Sequence, residues 1–135
     1  MANDNEATTY HALAAVFLVD DVGATARWYR DVLGFRFTTF PEEEPFEWAS
    51  LSSGGAEIML QRAPGYRKPD LDPLRPGGVW NAYLYVTGVD ALHERIKDRV
   101  TVRRAPCDQP YGLREFEIAD PGGYVLAFGE QIGAA

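Results

Sequence analysis

Few side chains in this sequence are of the kinds that do chemistry, so each can be weighed by its neighbours. There are two histidines, His11 and His93, and a single cysteine, Cys107. Cys107 stands near Arg103 and Arg104 but has no histidine close by in sequence to serve as its base, so it reads as a spectator thiol. His93 lies beside Glu94 in a helix-like stretch, which predicts a solvated surface residue. No Ser-His-Asp order, phosphate-cradling glycine loop or zinc spacing occurs. What remains is unaided proton transfer, for which Glu57 and Tyr83 are the acid–base pair on offer. That inventory is thin, and no catalytic residue is assigned.

The whole chain sets further bounds. Its 135 residues suffice for a single domain over 1–135, built as one unit or as two half-size units around a shared core. A net charge of −7 argues against nucleic acid, because phosphates reward Lys and Arg. One cysteine cannot form an internal disulfide, the N-terminal stretch has no basic-then-apolar signal, and no apolar run reaches membrane-spanning length. A soluble, cytoplasmic protein with neither nucleic-acid nor membrane partners is expected.

The elements that must position these residues come in two similar sets. Residues 14–19 (AAVFLV) read as a strand, followed by an Asp pair suited to a helix N-cap. In the next stretch Ala24, Trp28 and Val32, with Tyr29 and Leu33, recur at helical spacing, and Gly34 stands where a left-handed C-cap belongs. FRFTTF and FEWASL then read as strands around an acidic turn, and AEIML closes the half. In the second half NAYLYV reads as a strand, Val89, Leu92 and Ile96 form one helical face, and REFEIA and YVLAF are strands joined by DPGG. Val19, Val22, Ala24 and Asp31 match Val86, Val89, Ala91 and Asp98 at a constant offset of 67 residues, and the pairs Gly54-Gly55 and Gly122-Gly123 at 68. A duplicated strand–helix–strands unit follows. The boundaries are 12–63 and 79–130, with the proline-rich stretch 64–78 as linker.

WYRDVLGF, REFEIADPGGYVLAFGE, VWNAYLYVTGVDAL and PYGLREF bring a family into view. Over about residues 12–130 the chain resembles the vicinal-oxygen-chelate superfamily, and within it the glyoxalase/bleomycin-resistance proteins. The resemblance implies an α+β fold of two tandem βαβββ modules whose mixed sheets curl around a cavity, and pairing of chains as a homodimer. Metal-using relatives carry His, Gln or Glu on the first and last strands of each module. Those places fall here on Ala14, Met59, Asn81 and Ala127, which cannot hold a hard divalent ion. His11 has the wrong strand phase to replace them, and Glu57 is a lone carboxylate. No metal and no cofactor is expected.

On this resemblance the cavity is lined by Asn81, Tyr83 and Tyr85 on one strand and by small or aliphatic residues on the others, with Glu57 and Met59 nearby. Phe40, Phe46, Trp48, Tyr111 and Phe116 are the aromatic candidates for stacking on a ligand, and Arg114 a candidate gate beside Glu115. The function implied is metal-free sequestration of a planar organic ligand, cationic ones being drawn by the acidic charge, as in bleomycin-resistance proteins. The alternative is a metal-dependent or acid–base enzyme of the same superfamily, a lyase, isomerase or dioxygenase.

Overall fold

The structure, a computed structural model, describes residues 7–133. Two four-stranded sheets, each with one helix, follow one another along the chain. The first runs β1 (Ala15–Val19), α1 (Val22–Leu33), β2 (Arg36–Phe40), β3 (Trp48–Ser53) and β4 (Ala56–Arg62). The second runs β5 (Ala82–Tyr85), α2 (Val89–Ile96), β6 (Thr101–Asp108), β7 (Leu113–Ala119) and β8 (Val125–Gln131). Spatial order is β1-β4-β3-β2 in one sheet and β5-β8-β7-β6 in the other, so the topology repeats as the sequence repeats. In each, the first strand pairs parallel with the last and the other pairs are antiparallel.

Local chemistry sets the helix ends. The Asp21 carboxylate accepts from Ala24 N–H (3.0 Å) and caps the start of α1. Gly34, at φ 77°, turns the chain left-handed and sends its N–H back to Arg30. The buried stripe of α1 is Val22, Thr25, Ala26, Tyr29 and Val32, while Ala24, expected on that stripe, is exposed. On α2 the expected face holds: Val89 and Ile96 are buried and Leu92 half-buried. Its start is capped from afar, because Glu130 on β8 accepts from Gly88 and Val89 N–H.

Stretch 64–78 is irregular apart from a single 3-10 turn at Asp72–Leu74. Strand β6, TVRRAPCD, is an edge strand that period-2 hydrophobicity does not announce. It is polar, holds Pro106, and slips register between Val102 and Arg104 and again before Cys107. Charge, proline and bulges are the devices that blunt an exposed sheet edge.

One buried cluster joins the helix-side faces of both sheets, from Phe17, Tyr29, Leu51 and Leu60 to Phe116, Ile118 and Phe128. The β7–β8 turn locks the modules together. Tyr29 Oη of α1 donates to Asp120 Oδ2 (2.6 Å), and Asp120 Oδ1 accepts from Gly122 and Tyr124 N–H (2.9 Å each). The Tyr124 ring stacks on Phe17 at 4.1 Å, and its hydroxyl donates to Leu18 C=O (2.7 Å). The second glycine pair therefore does more than the first. Both close a hairpin, but only Asp-Pro-Gly-Gly-Tyr carries the clamp between halves.

Candidate functional site

Each sheet has one face against its helix and one turned away, and the strand registers sort the side chains between them. In the first sheet Ile58, Leu60, Ala49 and Leu51 pack towards α1, which leaves Val16, Met59, Glu57, Trp48 and Phe40 on the open face. Phe40 is 68% exposed and Val16 52%, unusual for large apolar residues. Glu57 accepts from the Ser50 hydroxyl at 3.1 Å.

In the second sheet Phe116 lies fully buried, edge-on to His93 of α2 and stacked on Phe128. The expectation that Phe116 stacks on a ligand is therefore corrected: it belongs to the core. His93 is half-buried against it rather than fully solvated. Arg114 has the phase of Phe116 and forms ion pairs with Asp90 (2.8 Å) and Asp108 (2.9 Å) on the helix side, so it gates nothing on the open face. Phe46, in the loop between β2 and β3, packs against the core cluster. The Asn81 side chain accepts from Val125 N–H (2.8 Å) and so tethers the start of β8.

Glu115 and Glu117, next to these residues in sequence, point the other way. Both are buried, Glu115 completely, and both occupy the open face opposite Gly129 and Ala127 of β8. Although adjacent in sequence, Glu115 and Arg114 do not pair, since the two side chains lie on opposite faces. Glu115 is held by two phenols, Tyr83 Oη to Oε2 (2.7 Å) and Tyr111 Oη to Oε1 (2.6 Å). Trp80 Nε1 donates to Glu117 Oε2 (3.1 Å), and Arg104 Nε lies 3.7 Å from the same oxygen. Trp80, Tyr83 and Tyr85 form a row of rings with centroids 5.0 and 4.9 Å apart.

Burial first, and Glu115 second, raise the phenol pKa of Tyr83 above its ordinary range and push that of Tyr111 up to about 12. Tyr83 reaches Glu115 by lying flat over Gly129. A Cβ there would sit 2.9 Å from Tyr83 Cε1 and collide outright with its hydroxyl. The glycine in LAFGE is thus required by the tyrosine across the strand pair.

A cleft of about 1070 Å3 opens along the free edge of β5. Tyr83, Tyr85 and Asn81 line one side, and Glu57, with Leu13, Leu33 and Phe35 of the first module, lines the other. The structure thus gathers Glu57, Asn81, Tyr83 and Tyr85 into one cleft, while Tyr111 lies outside its lining and is linked to Tyr83 through Glu115. Phe40, Trp48 and Met59 remain on the adjoining open face of the first sheet. The acid–base pair Glu57 and Tyr83 is not formed, because each is bonded to another partner.

The profile of the Glyoxalase/Bleomycin resistance protein/Dioxygenase superfamily matches residues 11–128. The chain belongs to this superfamily. A search of the curated proteins finds no match. Among solved structures, TioX from Micromonospora sp. ML1 is 21% identical, with TM-score 0.72 over 91% of this chain and all of its own. A glyoxalase-related enzyme from Clostridium phytofermentans is 17% identical, TM-score 0.72, covering 93% of this chain and 98% of that one. The bleomycin-binding protein of Streptomyces verticillus, solved with copper(II)-bleomycin, is 22% identical, TM-score 0.65, covering 94% and 99%. These likenesses establish the fold.

Metal-using members of the superfamily would need donors on β1, β4, β5 and β8. The parallel registers set Val16 beside Met59 and Tyr83 beside Ala127, with Ala14 and Asn81 just ahead of the strands. Three aliphatic side chains, a thioether, an amide already bonded to Val125 N–H and a phenol already bonded to Glu115 do not make a divalent-metal cage. Among the described residues, no three His, Cys, Asp or Glu side chains group as ligands elsewhere.

Proposed function

We propose that this protein captures a planar organic molecule, with cationic ones preferred, and releases it chemically unchanged. The observation that carries this reading is the row Trp80–Tyr83–Tyr85 beside two buried carboxylates on the open face of the second sheet, with Tyr83 and Tyr85 of that row also lining a ligand-sized cleft. Rings at such spacing offer π faces to a flat ligand, and the carboxylates beneath give the wall a negative potential that attracts a cation. Phe40, Trp48 and Met59 extend the apolar surface on the first sheet. The match of this fold to a protein solved with copper(II)-bleomycin supports a drug-sequestering role.

A second copy of the chain, as the family resemblance implies, would cover the exposed Val16, Leu18 and Phe40. Light scattering that shows a monomer at micromolar concentration would contradict this. The exposed, unpaired thiol of Cys107 suits a reducing cytoplasm.

Isothermal titration with copper(II)-bleomycin, metal-free bleomycin and proflavine tests the capture reading. At least one should bind stoichiometrically and be recovered intact. Tyr85 is 80% exposed, so Tyr85→Ala spares the core and should weaken binding about three- to tenfold, the worth of one aromatic stack. No heat from any of the three, or conversion of the ligand, would overturn the proposal.

A further inference from the structure

On the open face of the second sheet, three ring-bearing side chains turn their hydrogens onto buried carboxylates, and one of them, Tyr83, also lines the cleft. Tyr83 and Tyr111 each donate to Glu115, and the Trp80 indole donates to Glu117. A phenol and an indole N–H have one hydrogen apiece, so all three donors are spent. What these residues still offer a ligand is π faces and the lone pairs of two phenol oxygens. Arg104, the strong donor nearby, is turned onto Gly77 C=O (3.2 Å) and Glu117. The hydroxyl of Tyr85 stands in solvent and serves donors and acceptors alike.

The phenols keep their protons at neutral pH, since both titrate well above it. Nor is either hydrogen free to swing outward. Turning it to a ligand would strip a bond from a carboxylate that has no solvent to replace it. From these fixed directions, and resting on the capture reading, we infer that the wall selects its ligand by hydrogen-bond polarity. It accepts planar molecules whose edge carries N–H donors, such as aromatic amines, amidines and ammonium groups, and it rejects isosteres that carry only acceptors. Glu115 is the positioning residue: it touches no ligand but fixes the direction of both phenol hydrogens.

Two uncharged probes on one ring system separate polarity from net charge: 3-aminoquinoline, a donor, and quinoline N-oxide, an acceptor. Their affinities are read by tryptophan fluorescence or by chemical-shift titration. The native protein should favour the amine about tenfold or more, the worth of one unmatched hydrogen bond in a buried setting. In Glu115→Gln the amide accepts from one phenol and donates to the other, which frees a hydroxyl hydrogen for a ligand. The preference should then collapse towards unity, chiefly through tighter N-oxide binding, while a merely structural lesion would weaken both probes together. Tyr111→Phe is a second variant at a 56% exposed residue, and it should halve the preference or more by deleting one acceptor. An unchanged ratio in folded Glu115→Gln, or in Tyr111→Phe should the first not fold, overturns the inference. Equal binding of both probes by the native protein overturns the selectivity alone, whereas failure of both to bind overturns the capture reading itself.

Discussion

Asp120 is the point at which the two modules are most exposed to a single change. Its carboxylate receives three hydrogens, from Tyr29 Oη, Tyr124 N and Gly122 N, at a place 5% exposed. In Asp120→Ala the buried Tyr29 hydroxyl and Tyr124 N–H lose their acceptor, at about 1–3 kcal/mol each, so about 4 kcal/mol in all. Unfolding entropy of about 2.1 cal/mol/K per residue gives about 0.28 kcal/mol/K for 135 residues, and Tm should drop by about 14 °C. Asp120→Asn keeps one oxygen on the two N–H groups and lets the Tyr29 bond reverse, so it should cost under about 1 kcal/mol.

The pair also has a pH signature. Burial holds the Asp120 carboxyl above its ordinary range, against the pull of its hydrogen bonds to Tyr29, Tyr124 and Gly122. The folded state then binds the proton more readily than the unfolded chain does. The contribution of Asp120 to stability is therefore greatest at low pH and declines as pH rises through its elevated value. The stability of native protein relative to Asp120→Asn should fall over that interval and be flat above it. Thermal melts by circular dichroism from about pH 3 to 8 measure both effects. Equal Tm losses for the Ala and Asn variants, or a difference that grows in the opposite direction with pH, would refute the reasoning.

Two further outcomes follow from contacts at the site. Gly129→Ala should dislodge Tyr83 from Glu115 and weaken ligand binding, with a stability cost of about 1.5–3 kcal/mol for the bond to a charged acceptor. In a double-mutant cycle that cost should vanish when Tyr83 is already Ala, and an unchanged cost would refute the fit of ring to glycine. Glu130 is held below the ordinary carboxylate range by Gly88 N–H and Val89 N–H at the start of α2. Its stabilisation is present above that range and lost as pH falls through the lowered value, so the Tm gap between native protein and Glu130→Gln should close on acidification. A gap that stays constant to about pH 3 would contradict the cap.

The βαβββ repeat was legible because it rests on signals local in sequence. Helical spacing around Tyr29 and Val32, the cap at Gly34 and the paired glycine turns each announce an element without its neighbours. Strand β6 was illegible for the opposite reason, since an edge strand is under no demand to alternate apolar and polar residues. On the first sheet, strand phase sets Trp48, Met59 and Phe40 on the open face. Phase was available on β7 too. Phe116 and Ile118 alternate with Glu115 and Glu117, and two glutamates two apart on a central strand signal a buried polar wall. What phase alone does not reveal is their partners. Trp80 lies ahead of β5, and Tyr111 lies in a turn, where alternation assigns no face. That long-range pairing made Glu115 readable only in three dimensions.

The central claim is capture without metal, and one titration reaches it most directly. Protein freed of metal is titrated with proflavine and with copper(II)-bleomycin, whose chelating site is already filled, beside protein supplied with zinc, nickel, manganese or iron, and each ligand is recovered and analysed afterwards. The account predicts the same affinity and stoichiometry in every arm for whichever ligand binds, and its return intact. Binding that appears only with an added ion, or a ligand that comes back altered, would contradict it.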